Sequence, residues 1–527
     1  MPGDAKDVLQ ETVLSAYEHL HSFRGTCRFS TWMTKIGINT SLMLLKSHFS
    51  IALREVAMLQ RGFMAMFDIK RDKIAFATSS ATSTTSLEAD LRPRKNLLER
   101  TLSVVGDVCP GEGLGALILT INLFTLLGAY YLLKTVRESL ILAEGGAEVK
   151  AYSSAAQAII LLGVVPLYGW IATHLNRNRL LRWTTLFFAS NLLIFYFVGQ
   201  AGARIGIVYY IWVGIFNVFT VAQLWAFATD LFSQEQGKRL FPLLGVGASA
   251  GAVAGAWVAG LLIKPLGTYK IMLIAVAALC TCAALTRLAG YIITKRGGEL
   301  EKKKDKETLS SEGGFQLLLR DRYLMLIAIL TVLLNIVSLS GDFIFGKLLV
   351  DQTNRIVGTA ASLMKARKAY IGSYYASYYG WTNAVSLIIQ TFLVSRIFKR
   401  IGVRGSMFVL PAISLATFVT ILANPILQVV RVLKIAENST NYSLQNTVRA
   451  ALLLPTSREA KYKAKEAIET FCVRLGDVLQ AGVIFIGTSL RFGVQAFAGM
   501  TLAITLLWLI VAFKLYQEHK RKVPEFH

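Results

Sequence analysis

From residue 115 onward the chain alternates long apolar runs with short polar breaks, the pattern of helices that cross a bilayer. A hydrocarbon core of about 30 Å takes roughly 20 apolar residues in helical form. Stretches of that kind fall near 115–134, 151–173, 181–199, 205–228, 240–263 and 270–293. Beyond a charged segment they recur near 323–345, 371–395, 405–423, 426–450, 471–489 and 495–515. The pattern predicts an all-α polytopic membrane protein with about twelve transmembrane helices in two six-helix halves, as in carriers built from structural repeats. Its expected divisions are a helical segment at 1–50, an amphipathic and linker segment at 51–110, and a first half at 111–294. A charged cytoplasmic linker at 295–322, a second half at 323–518 and a basic tail at 519–527 complete them.

Composition narrows the class. Of 527 residues, 54% are hydrophobic and only 17% charged, against about 25% charged in soluble domains, which disfavours a water-soluble enzyme or a disordered regulator. The net charge of +24 fits either a nucleic-acid partner or basic cytoplasmic loops. Its distribution favours the loops, because residues 1–100 carry only +4 of it. Basic clusters follow the second, fourth, sixth and eighth predicted spans, as HLNRNRLLR, SQEQGKR, KRGGELEKKKDK and RIFKRIGVR, and the chain ends in KLYQEHKRK before its last residues. With a cytoplasmic amino terminus, which the absence of a signal-peptide pattern predicts, these clusters all lie inside. The exception is the seventh connection, with Arg355, Lys365, Arg367 and Lys368 on the expected outer side. Either that connection or the unusually polar tenth span is then out of place. The five cysteines are scattered and outside any CxxC spacing, so neither a disulfide framework nor a zinc site is expected, and no metal or cofactor. No GxxxxGK[ST] loop is present, which argues against ATP hydrolysis and against an enzyme.

Ionisable residues inside spans cost about 2.5–3.5 kcal/mol each on insertion scales and are functional candidates by default. The first span runs out as LLGAYYLLKTVRESLIL, placing Lys134 and Arg137 three residues apart on one helix face. There the two cations suit a polyphosphate, Arg137 in bidentate fashion; the plain alternative is that both reach for the outer interface. Arg431, Lys434 and Arg449 add positive charge to the tenth span, and Arg474 and Asp477 lie three apart in the eleventh. That last pair forms a structural ion pair, or else Arg474 serves an anion. Gly247, Gly251 and Gly255, four residues apart in the fifth span, read as a close helix contact.

Two stretches resemble known families. Residues 4–46 pair DAKDVLQE with FRG and FSTW, and this resembles region 2 of the extracytoplasmic-function sigma-70 factors. The resemblance implies that Asp4, Asp7, Gln10 and Glu11 face polymerase and that the helix around Thr31 and Trp32 faces promoter DNA. No second helix-turn-helix domain follows, and a net charge of +4 gives little electrostatic footprint for DNA, so RNA polymerase and DNA are not expected as partners.

The segments LLKTVRESL, QLW with QGKRLFPLLGVGA, and ENSTNYSLQNTVRAALLLPTSREAKYKAKEAIETFCVRLGD resemble those of the ATP:ADP antiporters of intracellular bacteria and plastids. The similarity runs over about residues 110–515. It implies a major-facilitator-like fold in a bacterial inner membrane and exchange of ATP, ADP or a related phosphorylated anion by alternating access. It implies that Arg137 stands where the family has an essential Lys, Gln223 where it has a Glu, and Asp342 where it has an acidic residue. Asp477 stands where the family has a Lys, a reversal of charge that opposes phosphate at that position. The alternatives are a carrier of another metabolite, coupled to protons through Asp342 or Asp477, and a membrane-tethered regulator that uses the sigma-like leader.

Overall fold

The computed structural model describes residues 96–103, 107–174, 177–295, 318–456 and 464–523. The chain divides into two compact units, Met1–Arg92 and Pro93–His527; the whole of the first lies outside the described residues.

The described part of the second unit is helical throughout. After the short α1 (Leu97–Leu102), the first bundle comprises α2 (Gly113–His174), α3 (Arg177–Gln200), α4 (Gly206–Phe216), α5 (Ala222–Leu231), α6 (Gln234–Leu266) and α7 (Lys270–Lys295). The second comprises α8 (Arg322–Ile356), α9 (Met364–Ile388), α10 (Val394–Ser406), α11 (Val409–Ala423), α12 (Leu427–Thr440), α13 (Asn446–Leu452), α14 (Lys465–Ala467), α15 (Val473–Ser489) and α16 (Val494–Lys522). Single π-helical turns join α4 to α5, α9 to α10, α12 to α13 and α14 to α15. Such turns are frequent at functional sites because each widens one step of the helix and re-aims the side chains beyond it.

Helix covers each of the twelve predicted stretches. Among the described residues seven helices are long and apolar enough to cross a membrane on their own, or eight if the pair 361–406 and 409–423, bent by 76°, counts as one span. Four features make up the shortfall from twelve. The eighth and ninth predicted spans form that bent pair, and α3, over the third, is not among the qualifying helices. The first two predicted spans form one element, α2, reversed at Gly146, whose φ of 79° and ψ of −174° belong to glycine alone. The tenth is polar and interrupted by a π turn.

Each bundle has its own apolar core. Leu123, Leu133, Tyr209, Phe216 and Leu244 fill the first, and Tyr323, Phe345, Phe418, Phe497 and Trp508 the second. Large apolar side chains such as Phe187, Phe197, Leu261, Phe485 and Ile510 point outward instead, as lipid-facing positions do. The glycine stripe of α6 lies against α2: a Cβ on Gly251 would strike the carbonyl of Phe124, and one on Gly255 that of Gly128. The backbones therefore touch, as the spacing predicts.

The polar bonds that join the bundles cluster around the α2 reversal. Ser139 Oγ donates to the Lys368 carbonyl at 2.6 Å. Lys368 Nζ meets Glu144 at 2.6 Å and the Tyr269 hydroxyl at 2.8 Å, and Lys347 meets Glu148 at 2.9 Å. This seam accounts for the basic seventh connection. Arg355 closes the last turn of α8, whereas Lys365, Arg367 and Lys368 belong to α9, where Lys368 is buried in its ion pair and Arg367 bonds Asn354.

Candidate functional site

The centre is built around the stretch of α2 that the hydropathy pattern leaves out. Predicted to end its span at 134, the helix continues without a break to Gly145, carrying Lys134, Arg137, Glu138 and Glu144 into protein rather than solvent. Glu138 is fully buried and shared by two cations, Arg137 at 2.6 Å and Lys150, from beyond the Gly146 reversal, at 2.7 Å. Arg137 also lies over the Tyr210 ring, 4.5 Å from its centroid. Lys150 reaches the Tyr375 hydroxyl of α9 at 3.4 Å.

Lys134 differs from its neighbours. Among the described residues no carboxylate lies within ion-pair distance of its ammonium; four tyrosine rings surround it instead. Its Nζ is 4.4 Å from the Tyr379 centroid, 5.2 Å from Tyr131, and 5.9 Å from both Tyr130 and Tyr442. The rings come from α2, α9 and the π turn between α12 and α13, so the cage spans both bundles. Faces of aromatic rings hold a cation through their quadrupole, about 0.5–2 kcal/mol per contact, without neutralising it. Arg137, Glu138, Asp342 and Lys150 all lie within electrostatic reach of Lys134, though neither carboxylate pairs with it.

Asp342 pairs with Lys434 of α12 at 3.1 Å, and Lys434 is also 3.2 Å from Glu437. Lys434 and Glu437 are almost wholly buried, Asp342 about one third exposed. Two carboxylates thus share one ammonium. The second oxygen of Glu437 has no hydrogen-bond partner among the described residues.

Of the sequence-predicted residues, Lys134, Arg137 and Asp342 therefore come together. The others do not join them directly. Gln223, on α5, donates to the Tyr168 hydroxyl and to Thr184 Oγ1 at 3.1 Å within the first bundle. Arg431 bonds Ser377 at 2.6 Å and stacks on Tyr374. Arg449 bonds Asn446 and lines a separate cavity of about 410 Å³ among α8, α12–α13 and α14–α15. Of the two alternatives left open for Arg474 and Asp477, the ion pair is the one present, at 3.2 Å, and Asp477 accepts from Asn335 at 2.7 Å. Asp4, Asp7, Gln10, Glu11 and Trp32 lie outside the described residues. Glu138, Lys150, Glu437 and the four tyrosines escaped the sequence reading, which had Lys434 only as further positive charge in the tenth span. Only the AYY of α2 and the run of tyrosines at 374–379 hinted at an aromatic centre.

Two helical bundles that meet around buried, partly compensated charge form a fold of the major-facilitator kind. The solved structure of the nucleoside transporter NupG has this fold, with a TM-score of 0.55 at 14% identity over 77% of this chain and 98% of that one. More narrowly, the chain belongs to the TLC ATP/ADP transporter family, whose model matches residues 206–519. It is thus a multi-pass membrane protein of a transporter family. The ADP,ATP carrier protein 1 of Chlamydia muridarum is 24% identical over 344 residues, 57% of this chain and 62% of the carrier. The match thus spans less than two thirds of that relative's length. At the amino terminus residues 2–48 match the Sigma-70 region 2 model. The ECF RNA polymerase sigma-E factor of Salmonella typhimurium is 49% identical over 39 residues, 7% of this chain and 20% of the factor.

Proposed function

We propose that the protein exchanges nucleotides, ATP and ADP or a related phosphorylated anion, across a bacterial inner membrane by alternating access. Residues 111–294 and 323–518 are its two six-helix halves, and its amino terminus is cytoplasmic. The observation that carries this reading is the ammonium of Lys134, unpaired among the described residues and held in its tyrosine cage beside Arg137. A buried cation without a carboxylate is costly unless an anion completes it. A phosphate group completes it, and Arg137 retains a second face for another phosphate oxygen. The family membership and the name of the chlamydial relative support the same substrate class.

Reconstituted into liposomes preloaded with unlabelled ADP, the protein is expected to take up labelled ATP saturably and faster than into empty liposomes. Lys134→Gln is expected to lower that uptake at least about tenfold, the scale of one lost charge-assisted contact. Unchanged uptake in the variant removes the assignment.

The Lys434, Asp342 and Glu437 cluster favours a second reading, in which transport of this or another metabolite is coupled to protons. Two carboxylates sharing one ammonium leave room for a proton between them. Uptake driven by an imposed pH gradient, and lost in Asp342→Asn, distinguishes it from simple exchange.

A further inference from the structure

The cavity among α8, α12–α13 and α14–α15 has a chemistry unlike that of the cage around Lys134. Its polar lining consists of Thr331, whose hydroxyl is spent on the Ile327 carbonyl, and of Asn335, Asn441, Asn446, Arg449 and Glu469, with one formal charge of each sign. A neutral cavity rich in amides suits an uncharged hydrogen-bonding group better than a polyphosphate.

Asn335 is the most constrained of these. Its Nδ2 donates to the Val473 carbonyl and to Asp477 Oδ1, both at 2.7 Å. Two acceptors use both N–H groups and fix the amide orientation, since a flip would set oxygen against oxygen. Gly476 makes the arrangement possible: a Cβ there would fall 2.8 Å from that of Asn335. The carbonyl of Asn335 remains without a hydrogen bond among the described residues, a fixed acceptor on the cavity wall. Asn446 is spent at both ends, accepting from Arg449 and donating to the Tyr442 carbonyl. The side chain of Asn441 has no hydrogen bond among the described residues, so its amide offers a donor and an acceptor. Asn441 opens the π turn whose next residue, Tyr442, belongs to the cage around Lys134. Cavity and cage therefore meet at consecutive residues.

We propose that this cavity receives the uncharged end of the transported nucleotide, with Asn335 and Asn441 reading a donor-bearing edge, while Lys134 holds phosphate. This rests on the nucleotide reading above. Because the Asn335 acceptor is fixed, it demands an N–H or O–H donor, which is either an exocyclic amino group of the base or a ribose hydroxyl. Asp477 is then a positioning residue that acts through Asn335. The departure of its charge from the family pattern has a consequence for base or sugar recognition rather than for phosphate.

Equilibrium binding of ATP, of ITP, which replaces the amino group by an oxo group, and of 2′-deoxy-ATP to the purified full chain tests this. ATP is expected to bind at least about tenfold more tightly than one of the two analogues, and which one identifies the donor. Asn335→Leu is expected to erase that preference, whereas Lys134→Gln is expected to weaken all three ligands alike. Asn441→Leu removes an amide with no structural partner and is expected to reduce the preference even where Asn335→Leu folds poorly. Equal binding of all three ligands by the unaltered protein, or a preference that survives Asn441→Leu in full, overturns the subsite and leaves the nucleotide reading standing. Failure of the unaltered protein to bind any of them overturns both.

Discussion

The surroundings of Arg137 in the first bundle and of Arg474 in the second pose the same local problem, a guanidinium inside a helical membrane protein, and solve it differently. Arg474 takes a carboxylate three residues along its own helix, and that carboxylate is spent again on the Asn335 amide. The account closes locally and leaves a neutral site. Arg137 takes the adjacent Glu138, but Glu138 must also serve Lys150, and Lys134 one turn earlier receives no carboxylate at all. The first site is left with surplus positive charge, the second with none. The comparison teaches that the count of carboxylates within reach, rather than the count of cations, marks where an anion belongs.

The contrast can be broken most severely at Glu138. Glu138→Gln removes the carboxylate paired with both Arg137 and Lys150, and losing one partner of a buried pair costs about 3–5 kcal/mol. Thermal unfolding in detergent is expected to show a large fall in the midpoint, partly restored when Lys150→Met is combined with it. Asp477→Asn is expected to cost less, about 1–2 kcal/mol, because Asn retains an acceptor for Asn335 and Arg474 is partly exposed. Equal losses in the two variants would erase the distinction between the sites.

The smallest effect concerns two carboxylates outside the spans, one at the start of each bundle. Glu112 bonds Arg239 at 2.9 Å and Asp321 bonds Lys522 at 2.6 Å. Burial pushes both carboxyls upward, but at Glu112 the bonds from Arg239, the Cys109 N–H and Gln236 outweigh it. At Asp321 those from Lys522 and the Tyr323 N–H do the same, so both groups end below their ordinary values. A carboxyl lowered in the folded state stabilises it above the unfolded value and loses that contribution as pH falls through the folded one. Stability differences between the protein and its Glu112→Gln and Asp321→Asn variants are therefore expected to be constant near neutrality, to shrink as pH falls through about 4, and to vanish only below the lowered folded values. A difference that persists in acid would mean that packing, not charge, holds these ends.

What the sequence conveys follows range. Helix positions, the α6 glycine contact and the Arg474 and Asp477 pair depend on residues a few positions apart, and periodicity exposes them. The extent of the first helix was misjudged because Lys134, Arg137 and Glu138 lower its hydropathy. Their burial is tolerated only through partners that the local pattern does not reveal. Lys150 reaches Glu138 through a reversal at one glycine, Lys368 reaches Glu144 across 224 positions, and Asn335 reaches Asp477 across 142. The tyrosine cage is assembled from three separate elements, so no single stretch of chain announces it.

The seam beside Gly146 carries one more implication. Its polar fastenings are ion pairs, Lys368 with Glu144 and Lys347 with Glu148, set beside an apolar contact of Leu142 and Ala147 with Gly346. When a greasy contact parts, water gains nothing from either face. When an ion pair parts, hydration of each charge replaces much of what is lost. On the proposed alternating-access reading, ion pairs of this kind let the end of the molecule that holds them open and re-close at modest expense.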